Sequence, residues 1–247
     1  MFEINLGIYN EMLRYEKDMD KLRALALWIT NYDEKRIIPG LLNPREYVFT
    51  LIKHYSEKFA ANILEYGRID AGTLDLFHSS LFSINRLLGI TDEDVGRASE
   101  LQRYRNSGFW EMRRVIGQFT DVAEEVVRDG IEHIITAAVS GCVIGEYLGK
   151  VIAKNYQKAI EVDHMVFSRQ GIDPLKGYLP ESFRLMGDQV LFVDDAVMET
   201  KTAQVMLNTI AEISPQCEIS ILAVDIDPDT RASGFLDRFV RVYTFDE

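Results

Sequence analysis

Cysteine and basic residues are scarce in this chain, and each scarcity excludes a class of protein. The 247 residues include two cysteines, Cys142 and Cys217, too few for a disulfide framework or a cysteine-rich metal site. Lys and Arg number 27 against 39 Asp and Glu, which gives a formal net charge of −12. Proteins that bind nucleic acid usually present a basic face, so we expect no nucleic-acid partner.

Long apolar runs are also missing from the sequence. No stretch reaches the roughly 18 consecutive apolar residues that a membrane-spanning helix needs. Residues 1–18 have neither the basic start nor the apolar centre of a signal peptide. We therefore expect a soluble, cytoplasmic protein with no membrane partner.

The first part of the chain, residues 1–130, is predicted to form a helical domain of unknown role. Asn43 followed by Pro44 and Glu46 is a typical helix start, and apolar residues then recur at helical spacing until Gly67. A second helix is predicted to end near Gly89. The aromatic residues of these helices belong either to the core or to an interface of a homo-oligomer.

The pattern changes at residue 131, where short apolar runs begin to alternate with helical segments. Strands are predicted at residues 134–139, 160–167, 190–193, 219–224 and 239–245. This alternation predicts an α/β domain over residues 131–247, with a mostly parallel sheet and helices on both faces. Residues 168–188 hold most of the local Gly and Pro and are predicted to form a long loop.

The most informative segment runs from Val190 to Thr202, with the sequence VLFVDDAVMETKT. Four apolar residues lead into adjacent carboxylates, Asp194 and Asp195, and a short polar turn then leads into a helix. In open α/β sheets ligands bind beyond the carboxyl ends of the strands, and a helix N-terminus presents free N–H groups to an anion. The segment therefore predicts a diacid beside a phosphate-sized site. The alternative is a solvated strand end whose acids interact only with the helix dipole.

This segment resembles the loop that binds phosphoribosyl pyrophosphate (PRPP) in the type I phosphoribosyltransferases. The resemblance implies a phosphoribosyltransferase-like fold for residues 131–247. It also implies that Asp194 and Asp195 are the catalytic acids, hold the ribose hydroxyls, and lie at the site of a Mg²⁺ ion that accompanies PRPP. The residues that would surround the 5′-phosphate are Glu199, Thr200, Lys201 and Thr202.

Three residues depart from the family pattern. Met198 stands where purine-specific members carry an Asp thought to help protonate the base. Glu199 replaces a Thr that usually contacts phosphate, and a carboxylate there repels phosphate unless it points away. Thr200 replaces a Gly and narrows the backbone angles that the turn can adopt.

The turn after the first predicted strand contains Ser140 and Gly141. In the family that this chain resembles, the matching turn is small, contains glycine and binds pyrophosphate through backbone amides. The resemblance therefore implies that Ser140 and Gly141 contact pyrophosphate. A glycine after a strand is also common in turns that bind nothing.

Two further substrate contacts follow from the same resemblance. The loop 168–188 matches the family's flexible loop, from which Arg169, and with it Lys176 and Arg184, would reach pyrophosphate. Phe239 falls at the position of an aromatic residue that stacks on the base, with Asp246 as the acid that follows it. The alternatives are an ordinary polar loop and a core phenylalanine.

Three functions remain open from the sequence. The first is an enzyme that transfers phosphoribose from PRPP to a nitrogen base with Mg²⁺. The second is a non-catalytic module of the same fold that senses PRPP or a nucleotide and signals through the helical part. The third is a structural scaffold that acts through protein contacts. The expected partner in the first two is a small phosphoribosyl or nucleotide ligand.

Overall fold

The computed structural model describes residues 18, 21–27, 43–100, 112, 114–170, 173–198 and 200–245. For residues 44, 97–100, 169, 170 and 173 the description covers the backbone alone. None of the helices in these ranges is both long and apolar enough to cross a bilayer.

Residues 18 and 21–27 are helical, and three further helices lie between residues 43 and 100: α1 (Pro44–Tyr66), α2 (Ala71–Leu88) and α3 (Asp92–Glu100). The Asn43 side chain caps α1 by accepting a hydrogen bond from the Glu46 N–H at 3.2 Å, and Asp70 caps α2 in the same way. Both helices end at glycines, Gly67 and Gly89, that adopt the left-handed conformation with φ of 70°. The helix ends predicted from these local signals are confirmed.

The remaining helices are α4 (Phe119–Arg128), α5 (Cys142–Tyr156), α6 (Lys201–Ile213) and the short α7 (Pro228–Ala232). The strands are β1 (His133–Ala137), β2 (Glu161–Gln170), β3 (Asp173–Tyr178), β4 (Gln189–Val197), β5 (Glu218–Ile226) and β6 (Val242–Tyr243). They form one sheet in the order β3-β2-β1-β4-β5-β6, in which only β3 is antiparallel to its neighbour.

Both faces of the sheet are covered by helices, as predicted. On one face Leu191 and Val193 pack under α5, whereas on the other Val190 and Phe192 pack under α6. Successive strand residues point to opposite faces, so the two apolar sets come from alternate positions of one continuous apolar run. The predicted mostly parallel α/β fold is confirmed.

The core on the α5 side continues into the helical half of the chain. A single cluster of buried residues includes Phe59 and Phe77 of the helical half as well as Leu191 of β4. Helix α1 packs along α5, and Asp129 at the end of α4 accepts hydrogen bonds from Arg241 at 2.5 Å and Tyr243 at 2.6 Å. Apolar packing is therefore continuous across residue 130, and the division into two domains there stays a prediction.

The prediction of a loop over residues 168–188 is wrong for its first part. Strand β2 continues to Gln170, and β3 pairs with it as an antiparallel edge strand. Pro174 and Gly177 suggested a loop, but an edge strand tolerates proline, and glycine marks a close approach of backbone. A Cβ on Gly177 would lie 2.9 Å from the Thr209 hydroxyl of α6, so the missing side chain lets β3 cross over that helix.

Several strand ends also differ from prediction. Val139 lies in the turn after β1, while β4 and β5 extend beyond the predicted residues 193 and 224. The predicted strand 239–245 is reduced to Val242 and Tyr243, because this edge segment pairs only with β5 and follows a 3₁₀ turn at Phe235–Arg238.

Candidate functional site

The carboxyl ends of β1 and β4 lie side by side at the centre of the sheet. Thr136 of β1 is level with Val193 of β4, so the turn 138–141 leaves the sheet beside the acid pair, while β4 continues to Val197. A Cβ on Gly141 would lie 2.5 Å from the Val193 carbonyl oxygen and 3.2 Å from the Asp194 Cα. Only glycine lets the turn pack this closely against β4.

A side-chain hydrogen bond joins the turn to the acid pair. The Ser140 hydroxyl donates to Asp194 Oδ1 at 3.3 Å. Ser140 precedes Asp194 by 54 residues in the sequence. Residues that the resemblance assigns to two parts of one ligand are thus brought into contact.

Both carboxylates are buried within β4, with Asp194 6% and Asp195 8% exposed. Asp194 Oδ1 also accepts from the Asp195 N–H at 2.9 Å, and Asp195 Oδ1 accepts from the Ala196 N–H at 3.0 Å. Neither carboxylate forms an ion pair with a cationic side chain of the described residues. The acid pair is therefore held by local hydrogen bonds rather than neutralised by a salt bridge.

The environment of Asp194 favours its protonated form. Burial raises the pKa of Asp194 well above its usual value of 3.8, and the adjacent Asp195 carboxylate raises it further. The hydrogen bonds from the Asp195 N–H and the Ser140 hydroxyl oppose this rise in pKa but do not cancel it. The pair thus retains a proton at a pH at which an exposed carboxyl group is ionised, and a ligand that supplies positive charge would release it.

The segment between the acid pair and α6 is anchored to the neighbouring loop. The Asp227 N–H donates to the Val197 carbonyl at 3.1 Å, and the Thr230 hydroxyl donates to the Met198 carbonyl at 3.2 Å. Reasoning from the sequence assigned no role to Thr230. The available signal was the helix start at Asp227-Pro228, which places Thr230 in α7.

Helix α6 begins directly after this segment. Thr200 precedes it with helical backbone angles and makes no capping hydrogen bond with its side chain. The first helical turn contains Lys201 and Thr202, whose N–H groups point out of the N-terminal end of the helix. They form the part of the predicted phosphate site that the structure describes, while Glu199 lies outside the described residues.

The acid pair suits Mg²⁺ only when a ligand supplies further oxygens. Two carboxylates are hard oxygen donors of the type that Mg²⁺ prefers. No group of three or more His, Cys, Asp and Glu side chains in the described ranges could hold a metal ion. Asp194 and Asp195 therefore fit an ion bound largely through the oxygens of a phosphorylated ligand, as Mg²⁺ commonly is.

Two residues assigned to substrate contacts lie at the other end of the strands, near the beginnings of β5 and β1. Phe239 is 6% exposed and packs on Phe235, and the next residue, Val240, bonds to Ile219 at the beginning of β5. Arg184 donates to the carbonyls of its own segment, which is attached near the beginning of β1. The structure does not bring either residue to the acid pair.

The other expected contacts are described in part. The backbone of Arg169 lies at the end of β2, opposite Pro174, beyond the level of the acid pair. Lys176 lies with its ammonium group 5.3 Å from the centre of the Tyr178 ring. Asp246 lies outside the described residues.

Comparison with known proteins gives similarity in structure only. No protein-family model and no curated protein sequence matches this chain. A purine phosphoribosyltransferase from Pyrococcus horikoshii Ot3 is 19% identical over 55% of this chain and 83% of its own, with a TM-score of 0.38. Adenine phosphoribosyltransferase from Saccharomyces cerevisiae is 15% identical over 57% of this chain and 80% of its own, with a TM-score of 0.40. At these values the likeness assigns no ligand and no activity.

Proposed function

We propose that the chain binds PRPP, or a related phosphorylated ribose such as a nucleotide, at the carboxyl edge of its sheet. The observation that carries the proposal is the contact between the turn at Ser140 and Gly141 and the acid pair at Asp194 and Asp195. This contact puts a backbone turn suited to pyrophosphate beside carboxylates suited to a diol, and α6 begins at Lys201, six residues after Asp195, with its N-terminus at the same end of the sheet.

Each part of the proposed ligand has a matching group. The carboxyl groups of Asp194 and Asp195 accept hydrogen bonds from the two ribose hydroxyls. In the turn the Ala138 and Gly141 N–H groups already donate to the Met165 and Ala137 carbonyls, so the amides of Val139 and Ser140 would bind pyrophosphate. The amides of Lys201 and Thr202 would bind the 5′-phosphate. Mg²⁺, when bound with the ligand, would supply positive charge that stabilises the leaving pyrophosphate.

Transfer of the phosphoribosyl group would break the bond between C1 of the ribose and a pyrophosphate oxygen and form a bond from C1 to a base nitrogen. The transition state resembles a ribosyl cation, so the protein contributes by holding the ribose and by stabilising charge on the leaving group. The base loses a proton in this reaction, and the chain offers Met198 where purine-specific members offer an Asp. This departure favours the second candidate, a module that binds PRPP or a nucleotide without transferring it.

Calorimetric titration with PRPP, with and without Mg²⁺, tests the proposal. We expect binding by the wild type and loss of binding in a double variant, Asp194→Asn with Asp195→Asn. Asp121→Asn, at an exposed position on α4, is the matched control and should bind as the wild type does. Unchanged affinity in the double variant would refute the proposed site. Release of pyrophosphate across a panel of bases would then separate an enzyme from a sensor.

A further inference from the structure

Four polar side chains are buried together beneath the turn 138–141, and the proposed function uses none of them. They are Thr136 of β1, His164 of β2, and Cys142 and Glu146 of α5, and we refer to them as the buried polar cluster. Thr136 and Cys142 are fully buried, and His164 and Glu146 are 2% and 5% exposed. They lie among apolar residues of the core on the α5 side.

The hydrogen bonds of the cluster run in one direction. The Thr136 hydroxyl donates its single proton to Cys142 Sγ at 3.5 Å. The short contact of 2.7 Å between that hydroxyl and His164 Nδ1 therefore has the ring nitrogen as its donor. The other ring nitrogen, Nε2, lies 3.4 Å from Glu146 Oε1, close enough for an ion pair but not aligned as a hydrogen bond.

Charge on His164 supports this arrangement. Burial lowers the pKa of His164, but Cys142 and Glu146 outweigh burial and raise the pKa from 6.5 to about 10. This direction agrees with a proton on Nδ1, the nitrogen that faces the Thr136 hydroxyl. Other charged groups facing the cluster are Lys53 and Glu57 of α1, Lys150 of α5 and Asp163 of β2.

The position of the cluster indicates that it supports the turn 138–141 rather than the stability of the whole fold. Thr136 lies just before the turn and Cys142 directly after it, so their hydrogen bond closes the turn at its base. On the β2 side the Ala138 N–H donates to the Met165 carbonyl at 2.8 Å, and on the β4 side Gly141 contacts Val193. Buried ionic groups are often no more stabilising than apolar residues of similar volume, so general stability does not require such a cluster here.

We propose that Thr136 and His164 are positioning residues that hold the turn 138–141 in the shape that binds the diphosphate end of the ligand. This inference rests on the proposed function. It predicts that changes at Thr136 or His164, which do not contact the ligand, alter the affinity for a sugar that carries a diphosphate and leave the affinity for a sugar monophosphate unchanged.

The test is Thr136→Val, which keeps the volume of the side chain and removes the hydroxyl. We expect the affinity for Mg²⁺-PRPP to fall about fivefold, the effect of one lost hydrogen bond, while the affinity for ribose 5-phosphate stays unchanged. Thr136→Ser should restore PRPP affinity. Ile144→Val, a buried change in α5 outside the cluster, should lower the melting temperature without changing either affinity.

The possible outcomes separate the two proposals. Binding of PRPP by the wild type with equal affinity in Thr136→Val would overturn this inference and leave the proposed function standing. An equal loss of affinity for PRPP and ribose 5-phosphate would also overturn it, because a general structural effect would then explain both. Failure of the wild type to bind PRPP would refute the proposed function and this inference with it.

Discussion

Replacement of Gly141 by alanine tests the closest contact in the candidate site. The added Cβ would lie 2.5 Å from the Val193 carbonyl oxygen, 3.1 Å from the Ala137 carbonyl oxygen and 3.2 Å from the Asp194 Cα. All three atoms belong to the backbone of the adjacent central strands β1 and β4. No side chain can rotate away to relieve the clash, so the turn must move away from β4.

The cost of this movement follows from the effect of overpacking a core. Extra atoms in a well-packed interior usually lower stability by about 1–3 kcal/mol, and a backbone contact belongs at the upper end of that range. For a chain of this size 1 kcal/mol corresponds to roughly 2–4 °C, so we expect the melting temperature to fall by about 6–12 °C. The displaced turn should also weaken PRPP binding, since the Ser140 hydroxyl would lose its contact with Asp194.

Thermal unfolding and chemical denaturation of the purified variant measure this effect. Gly96→Ala is the matched control, because Gly96 lies within α3 and an added Cβ meets no atom of the described residues within 4 Å. Alanine is the better helix former there, so the control should gain about 1 kcal/mol. If Gly141→Ala melted within about 2 °C of the wild type, the close approach of the turn to β4 would be wrong.

Two further predictions concern charge. Asp194→Asn should stabilise the protein at neutral pH by an amount on the order of 1 kcal/mol. The raised pKa of Asp194 means that the folded state holds a proton which the unfolded state releases, and asparagine removes this cost. The stabilisation should grow as the pH rises above about 4 and vanish below it, which melting curves at several pH values would show. Arg241→Ala should lower the free energy of unfolding by about 1 kcal/mol, because Arg241 forms ion pairs with Asp129 and Glu125. The effect is no larger because the Arg241 side chain is 36% exposed. No change in urea denaturation would show that these ion pairs do not hold β6 in place.

Local signals account for the parts of the fold that could be predicted from sequence. Asn43 and Gly67 mark the ends of α1 because capping side chains and left-handed glycines act within one turn of the chain. The parallel sheet followed from the alternation of apolar runs with helical segments. β3 was not predicted because Pro174 and Gly177 are breakers in a central strand, and the sequence does not show that this strand lies at an edge.

The residues of the candidate site also fall into those whose position could be predicted from the sequence and those whose position could not. Asp194 and Asp195 follow an apolar run, so their place at the carboxyl end of a strand was readable from the chain itself. Phe239 was assigned by the likeness of its segment to the base-contacting strand of the family, whereas the 3₁₀ turn before β6 sets it beside the beginning of β5. Spacing along the sequence does not reveal which edge of the sheet a residue reaches when a short turn intervenes.

The buried polar cluster could not be predicted from the sequence, because it depends on the register of neighbouring strands. His164 and Glu146 come from different elements, and they meet only because β1 and β2 are parallel with Thr136 level with His164. A polar residue in an apolar strand looks like an interruption until the register shows its partner. The pairing of β1 with β4 brings the turn beside Asp194. Because β1 takes part in both pairings, a shift of β1 along the sheet would displace both the groups that would bind a ligand and the groups that would support them.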